Sequence, residues 1–259
     1  MKVDDSGNHR WDKIIDIDSL YDGTVGLEIN NEENYIYSVG YSAINSLYWN
    51  YVALTCDSNG VVIDTFTRNM SYIGFNKPVS IKKDHGNGYY IAGMLNNDST
   101  GSDVKLVKLD SLFNLVWVKT IDYLMKQDAV RGFVIDGDNN VYLANQTSNL
   151  SYPYRTNLKI VKVSPYGNIL WTYSKRADWE HGSLLPISID IDTNKQTYIL
   201  AQEQKDTNDF FTLTICLDSV GNVIWSKNTS EEEENFTTPV SVNVGLNSIY
   251  LSGFSLSNS

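Results

Sequence analysis

Residues 218–225 read Asp-Ser-Val-Gly-Asn-Val-Ile-Trp, and this stretch decides the fold because the chain contains five copies of its pattern. The other copies cover residues 4–11, 57–64, 110–117 and 164–171, so their starts lie 53, 53, 54 and 54 residues apart. A constant period of this length, with turn residues set between β-branched and aromatic runs, is typical of a β-propeller. The sequence therefore predicts one all-β domain over residues 1–259, a propeller of four-stranded blades.

Each copy of the pattern is predicted to form the hairpin turn between the third and fourth strands of a blade. Four copies carry Gly at the fourth position, where a positive φ costs Gly little. The third copy has Phe113 there, which predicts a strained or reshaped turn. The second copy ends in Asp64 instead of Trp, so its blade is expected to pack less well. The other copies end in a tryptophan that we expect to pack against the neighbouring blade, namely Trp11, Trp117, Trp171 and Trp225.

A second hairpin follows each copy, and the strand before its turn has a small residue at one aligned position. Those residues are Gly26, Ser80, Gly132, Ser188 and Ser241. A small side chain at the same position of every repeat indicates crowding, which is greatest where blades converge on the propeller axis. We therefore predict that this strand is the innermost one of each blade.

The two ends of the chain are complementary half-blades. The chain begins with the stub of a third strand and ends just after a second strand. Two interpretations follow from this arrangement. Residues 1–24 pair with residues 240–254 to complete a fifth blade, or the chain is an excerpt of a longer protein with more blades.

The composition excludes several classes of function. A net charge of −11 argues against nucleic acid as a partner, since such binders need a basic surface. No apolar run is long enough to insert into a membrane. Cys56 and Cys216 are offset by one position in the repeat alignment, so buried free thiols are expected rather than a disulfide.

Residues 103–120 and 132–153 resemble the bacterial SBBP-type β-propeller repeats. Those repeats combine a hairpin of the form K-L-D-x-x-G-x-x-x-W with one of the form V-D-x-x-G-N-x-Y-x-x-G, and the resemblance extends over all five repeats. It implies a propeller fold and an extracellular or cell-surface location, and it implies no reaction. A weaker similarity, to pyrroloquinoline-quinone-type propeller repeats, lacks their Ala two residues before the Asp, so no quinone or other cofactor is expected.

Two turns have oxygen ligands at alternate positions, as a calcium ion requires. They are Asp136-x-Asp138-x-Asn140 and Asp190-x-Asp192-x-Asn194. Neither turn has the Gly or the distal acid of an EF-hand loop, and Asp and Asn are favoured in tight turns for their geometry alone. The predicted role of both segments is therefore turn formation, with no metal.

Acidic residues near the axis are the candidates for catalysis. Glu28 and Asp190 occupy aligned positions on innermost strands, as a glycosidase carboxylate pair would. Residues 178–181, Asp-Trp-Glu-His, place two carboxylates and a histidine on one loop. Neither set defines a catalytic constellation by sequence alone, so a carbohydrate-active enzyme, a glycosidase or lyase, is the alternative hypothesis.

The main functional prediction is a non-enzymatic binding or scaffold module. Loops on a rigid scaffold concentrate binding residues, and the loops that lead into each innermost strand all contain an aromatic residue. These residues are Tyr21, Tyr72, Tyr123, Trp179 and Phe236. The predicted partner is a protein or a glycan bound at this long-loop face.

Overall fold

The computed structural model describes residues 1–16, 21–30, 35–43, 49–68, 76–86, 88–97, 101–123, 127–148, 155–178, 182–205, 210–228, 236–246 and 248–256. Throughout these ranges the regular structure is β-strand, which confirms the prediction of an all-β propeller. The same residues include no helix with the length and apolar character needed to cross a membrane.

Four complete blades are antiparallel sheets in which strand order follows chain order. Blade 1 comprises β3 (Tyr21–Asn30), β4 (Tyr35–Ala43), β5 (Trp49–Asp57) and β6 (Val62–Arg68). Blade 2 comprises β7 (Asn76–Lys83), β8 (Tyr89–Asn97), β9 (Gly101–Leu109) and β10 (Leu115–Ile121). Blade 3 comprises β11 (Gln127–Ile135), β12 (Val141–Ser148), β13 (Thr156–Val163) and β14 (Ile169–Lys175). Blade 4 comprises β15 (Ser183–Ile191), β16 (Thr197–Gln204), β17 (Phe210–Leu217) and β18 (Val223–Asn228).

The ends of the chain form two further two-stranded sheets. The N-terminal hairpin consists of β1 (Lys2–Val3) and β2 (His9–Trp11), and the C-terminal hairpin consists of β19 (Phe236–Val244) and β20 (Ile249–Leu256). The described strands show no pairing between β20 and β1, so the predicted fifth blade is not formed in this structure.

The first strands of successive blades contact one another, as the innermost strands of a propeller do. Each has a register shift immediately before the small residue identified in the sequence, so a β-bulge recurs in all five. A Cβ atom on Gly26 would lie 3.0 Å from the backbone nitrogen of Ile81 on β7, the innermost strand of the next blade. Crowding therefore accounts for the small residue in blade 1.

The core lies between blades rather than inside one sheet. Three clusters of buried side chains join blade 1 to blade 2, blade 2 to blade 3, and blade 3 to blade 4. Cys56 and Cys216 are buried free thiols in two different blades, as predicted. Because each blade buries its apolar faces against its neighbours, the repeats depend on one another for stability.

Three of the motif tryptophans fasten one blade to the next. The indole Nε1 atoms of Trp11, Trp117 and Trp171 donate to the carbonyl oxygens of Ser58, Pro165 and Ser219, at 3.0, 2.9 and 3.1 Å. Each acceptor lies in the third-to-fourth-strand turn of the following blade, which confirms the predicted docking role.

The turn glycine of the following blade makes this contact possible. Gly221 has a φ of +91°, and a Cβ atom there would lie 2.9 Å from the Trp171 ring. Trp225 has no such turn against it among the described residues and is 37% exposed, so the packing against a neighbouring blade that the sequence predicted is not seen there.

Blade 1 has no tryptophan at this position, yet its boundary with blade 2 is filled. Phe113, at the glycine position of the blade 2 turn, is buried and packs on Tyr37 and Tyr89. Its φ of 61° is a strained value for a non-glycine residue, whereas the turn keeps the hydrogen bonds of the other copies. The prediction of poor packing at Asp64 is therefore wrong, because Phe113 occupies the space that a tryptophan fills elsewhere.

Candidate functional site

One position of the innermost strands differs in chemistry between blades. The residue directly before the small position, at the bulge, is aliphatic in four of the five strands and is Arg131 in β11. The Nε atom of Arg131 donates to Oε1 of Gln146 at 2.9 Å, and its Nη2 atom donates to the same oxygen. Burial lowers the pKa of Arg131. Bulges often re-aim a side chain next to an active site, and this one places a cation near the axis.

Arg131 lines a groove of about 320 Å³ at the boundary between blades 2 and 3. Innermost strands β7 and β11 contribute Lys77, Gln127 and Arg131, and the second strand β12 contributes Gln146 and Ser148. Cationic, amide and hydroxyl groups of this kind suit a polyhydroxylated ligand, since such a ligand needs several hydrogen-bond partners. The sequence analysis did not predict this groove. Arg131 stands at a repeat position where the other innermost strands have aliphatic residues, and this difference could have indicated it.

Glu28 and Asp190 occupy equivalent positions on innermost strands β3 and β15, as the sequence alignment predicted. Asp190 Oδ2 accepts a hydrogen bond from the backbone N–H of Val244 at 2.7 Å, on the next innermost strand. Glu28 interacts with the backbone N–H of Lys83, which holds the corresponding place on β7. Each carboxylate therefore links its own innermost strand to the next one.

The two carboxyl groups nevertheless differ in environment. Burial raises the pKa of Glu28, and the charge of Lys82 and the contacts with Lys83 oppose that rise only in part. Asp190 accepts a second hydrogen bond, from the backbone N–H of Ile191 to Oδ1 at 2.9 Å. Two backbone donors fix the orientation of this carboxylate, whereas Glu28 lies beside cations in a half-buried position.

A buried glutamate that sequence reasoning missed lies at the end of β16. Glu203 is 2% exposed and accepts the backbone N–H of Asp178 at 2.6 Å. Burial raises the pKa of Glu203, and the nearby Asp178 carboxylate adds to the rise. Asp178 itself pairs with Lys175 at 2.7 Å. The rest of the predicted acid–histidine loop, residues 179–181, lies outside the described residues.

The two turns considered for calcium are occupied by local hydrogen bonds. Asp136 Oδ1 accepts the backbone N–H groups of Asp138 and Asn140, each at 2.9 Å, and its Oδ2 accepts the Tyr142 hydroxyl at 3.0 Å. Lys162 Nζ lies 3.7 Å from the same carboxylate. Burial alone would raise the pKa of Asp136, but the hydrogen bonds from Asn140, Tyr142 and Asp138 hold it below its ordinary value. The Asp136 side chain therefore closes this turn by accepting its backbone N–H groups.

Asp190 and Asp192 in the second such turn are also engaged locally. Asp192 Oδ1 accepts the backbone N–H of Gln196 at 2.8 Å, and Asp190 accepts the backbone N–H groups of Ile191 and Val244. Turn geometry therefore accounts for the oxygen residues in both segments.

The five loop aromatics do not form a surface patch that the structure describes. Tyr123 is partly buried, its hydroxyl accepts from Asn145 Nδ2 at 3.2 Å, and Lys159 Nζ lies 3.9 Å from its ring centroid. Tyr123 therefore packs the loop against the blade. Tyr21 and Phe236 begin strands β3 and β19, and nothing is described of their side chains. Tyr72 and Trp179 lie outside the described residues.

A cavity of about 760 Å³ lies between blade 4 and the C-terminal hairpin, beside Trp225, Tyr198 and Leu246. At the boundary between blades 3 and 4, the turn that contains Gly221 packs against Trp171. The cavity lies at the equivalent place beside Trp225. This cavity is therefore a gap in blade packing rather than a shaped ligand site.

No family model matches the sequence, and no curated protein matches it. Among solved structures, the chain is similar to an endo-arabinase from Bacteroides thetaiotaomicron, with 10% identity, a TM-score of 0.47, and coverage of 90% of this chain and 93% of that chain. It is also similar to a thermostable family-43 glycoside hydrolase, with 13% identity, a TM-score of 0.48, and coverage of 91% and 84%. Both of these proteins are enzymes, whereas the sequence predicted a non-enzymatic binding module; at these identities the similarity concerns the fold alone.

Proposed function

We propose that this protein is a carbohydrate-active enzyme of the glycoside hydrolase type, with its acid–base chemistry on the innermost strands. The observation that carries the proposal is the difference between Glu28 and Asp190. These carboxyl groups hold equivalent positions in the repeat but have unlike surroundings, and pairs of carboxyl groups in unlike surroundings are the mark of an acid and a base.

Glu28 serves as the general acid in this scheme. Its pKa is raised by burial, so it retains a proton to a higher pH than an exposed glutamate does. A glycosidic oxygen leaves more readily when it is protonated, and the proton passes from the Glu28 carboxyl group to that oxygen as the C–O bond breaks.

Asp190 serves as the carboxylate partner. Its two backbone donors, Ile191 and Val244, fix the carboxylate against the inner wall of the propeller. Such a group either removes a proton from the attacking water or attacks the sugar carbon directly, depending on the separation of the two carboxyl groups. The groove at Arg131 supplies hydrogen-bond partners for sugar hydroxyl groups along the innermost strands.

The test is a hydrolysis screen on polysaccharides and aryl glycosides, measuring the reducing ends or the aryl alcohol released. We expect turnover by the unmodified chain, and losses of roughly 10²- to 10⁴-fold in Glu28→Gln and Asp190→Asn. Asp12→Asn, which changes an exposed carboxylate next to the N-terminal hairpin, is the matched control and should keep full activity. Unchanged turnover in Glu28→Gln, or no turnover of any substrate by the unmodified chain, would contradict the proposal.

A further inference from the structure

Three aspartates from different strands converge at the boundary between blades 2 and 3. Asp103 is the third residue of β9, Asp122 directly follows β10, and Asp128 is the second residue of β11. One carboxylate oxygen from each lies within 4.8 Å of one from each of the others. Oxygen ligands on opposite sides of a calcium ion, each at 2.3–2.6 Å, are separated by about 5 Å, so the spacing fits one ion.

One of these carboxylates has an oxygen that the described residues leave unsatisfied. Asp103 is 4% exposed and its Oδ1 atom has no hydrogen-bond partner among the described residues, whereas the fully buried Asp128 interacts with the Thr147 hydroxyl on β12. A buried carboxylate oxygen without a partner is costly, because it has lost its water and gained nothing in return. Native proteins satisfy such atoms, and a bound cation satisfies Asp103 Oδ1.

The remaining atoms of the cluster are held in place. Asp128 Oδ2 accepts the backbone N–H of Tyr123 at 3.0 Å, which holds Asp128 next to the residue that follows Asp122. The Ser102 hydroxyl donates to the backbone carbonyl of Asp128 at 3.0 Å, which ties β9 to β11 next to Asp103. These contacts hold Asp128 and the strand that carries Asp103 in place.

Lysines act on two of the three carboxylates. Among the described residues, Lys105 acts on Asp103 and Lys159 acts on Asp128. Burial raises the pKa of Asp103 and of Asp128, and the charge of Asp122 adds to both rises. The carboxylates therefore repel one another in the protein alone, and a divalent cation removes that repulsion.

We propose that Asp103, Asp122 and Asp128 bind a calcium ion that fastens blade 2 to blade 3. The ligands are all carboxylate oxygens, which suit a hard cation, and Asp122 is exposed, so water molecules complete the coordination shell. Calcium is favoured over magnesium because three acids on three strand ends form an irregular site, which the variable coordination of calcium tolerates.

The other boundaries between blades lack this set of residues. The positions aligned with Asp103 and Asp128 are Asn50 and Asn76 between blades 1 and 2, Asn157 and Leu184 between blades 3 and 4, and Phe211 and Thr237 between blade 4 and the C-terminal hairpin. At the boundary between the N-terminal hairpin and blade 1, Asp16 and Asp22 hold the positions of Asp122 and Asp128, so two of the three acids recur there. The full set of three occurs between blades 2 and 3, where β9 supplies Asp103.

The test is calcium binding by the full chain after treatment with EDTA, measured by isothermal titration with calcium chloride and by thermal melting. We expect one ion per chain and a higher melting temperature with calcium. Asp122→Asn alters the exposed ligand, so this variant should fold while its affinity falls at least about tenfold. Asp128→Asn should lose the calcium-induced rise and melt no lower than the unmodified chain without calcium, because it removes repulsion.

Asp138→Asn is the matched control, since Asp138 is exposed and belongs to the turn that the sequence suggested for calcium. It should retain full affinity. The proposal is overturned if the unmodified chain binds no calcium, if it binds magnesium instead, or if Asp122→Asn keeps the original affinity. Loss of affinity in Asp138→Asn with none in Asp122→Asn would place the ion in the turn and would also overturn it.

Discussion

Phe113 stacks on Tyr89 with ring centroids 4.8 Å apart, and this contact replaces a tryptophan that blade 1 lacks. In the other full blades a tryptophan on the fourth strand packs beside the tyrosine of its own second strand, as Trp171 does on Tyr142 at 5.8 Å. In blade 1 the corresponding tyrosine, Tyr37, packs on Phe113 of the next blade at 5.2 Å. Phe113 stands where the other turns have glycine, and Asp64 stands where the other copies have tryptophan. The first difference thus compensates for the second across the boundary between two blades.

Changing Phe113 to Gly should destabilise the protein by about 1–4 kcal/mol. Loss of a buried phenylalanine costs about 3–5 kcal/mol, and relief of the positive φ returns roughly 1–2 kcal/mol. Adding Asp64→Trp to that variant should restore part of the lost stability. Asp64→Trp in the unmodified chain should not increase stability, because Phe113 already fills the space. Denaturant unfolding of the four proteins gives the coupling energy, and a coupling energy near zero would refute the compensation.

Trp171 and Trp225 occupy the same repeat position in different surroundings and form a matched pair. Trp171→Ala should cost about 3–5 kcal/mol, since it removes a packed ring and the hydrogen bond to Ser219. Trp225→Ala should cost less than half as much, because this side chain is 37% exposed. Urea unfolding measures both values. Equal losses would show that the contact with the following turn contributes little.

Stability should fall in acid because turn aspartates have lowered pKa values. Hydrogen bonds from Asn140, Tyr142 and Asp138 outweigh burial and hold the pKa of Asp136 below the ordinary 3.8. The folded state therefore binds fewer protons than the unfolded chain in this range, so stability is full above about pH 4–5 and falls as pH drops through the lowered value. Asp136→Asn should flatten the acid limb of the stability curve, and the exposed Asp5→Asn should not.

Arg131→Val replaces the cation of the groove by a residue that other blades have at the bulge, so the fold should persist. We expect KM for a glycan substrate to rise at least about tenfold while kcat changes little, since Arg131 is expected to bind substrate rather than react. Circular dichroism checks the fold. An unchanged KM would mean that the groove does not bind substrate.

The period of the repeat was sufficient to predict the blades, their strand order and the docking tryptophans, because turn residues and aromatics at fixed spacing act locally. It was insufficient for Trp225, whose burial depends on which turn lies against it. It also failed at Asp64, because Phe113, whose turn is strained as predicted, fills the space beside the neighbouring blade. Contacts between repeats are not visible in an alignment of single repeats.

The candidate site was predictable only in part. Glu28 and Asp190 were identified because repeat alignment places them on the same strand position. Glu203 and the aspartates at 103, 122 and 128 were missed because their proximity arises from strand pairing and blade contact, and sequence spacing carries no trace of it. Tyr123, a loop aromatic that suggested binding, contacts Lys159 and Asn145, which the sequence did not indicate.

The pH dependence of glycoside hydrolysis tests the central claim most directly. If Glu28 donates the proton, kcat/KM on the best substrate should fall as pH rises through the Glu28 pKa, which lies above the ordinary value of 4.5. In Glu28→Gln the residual rate should lose that basic limb, whereas Asp12→Asn should reproduce the profile of the unmodified chain. A basic limb that persists unchanged in Glu28→Gln would contradict the account.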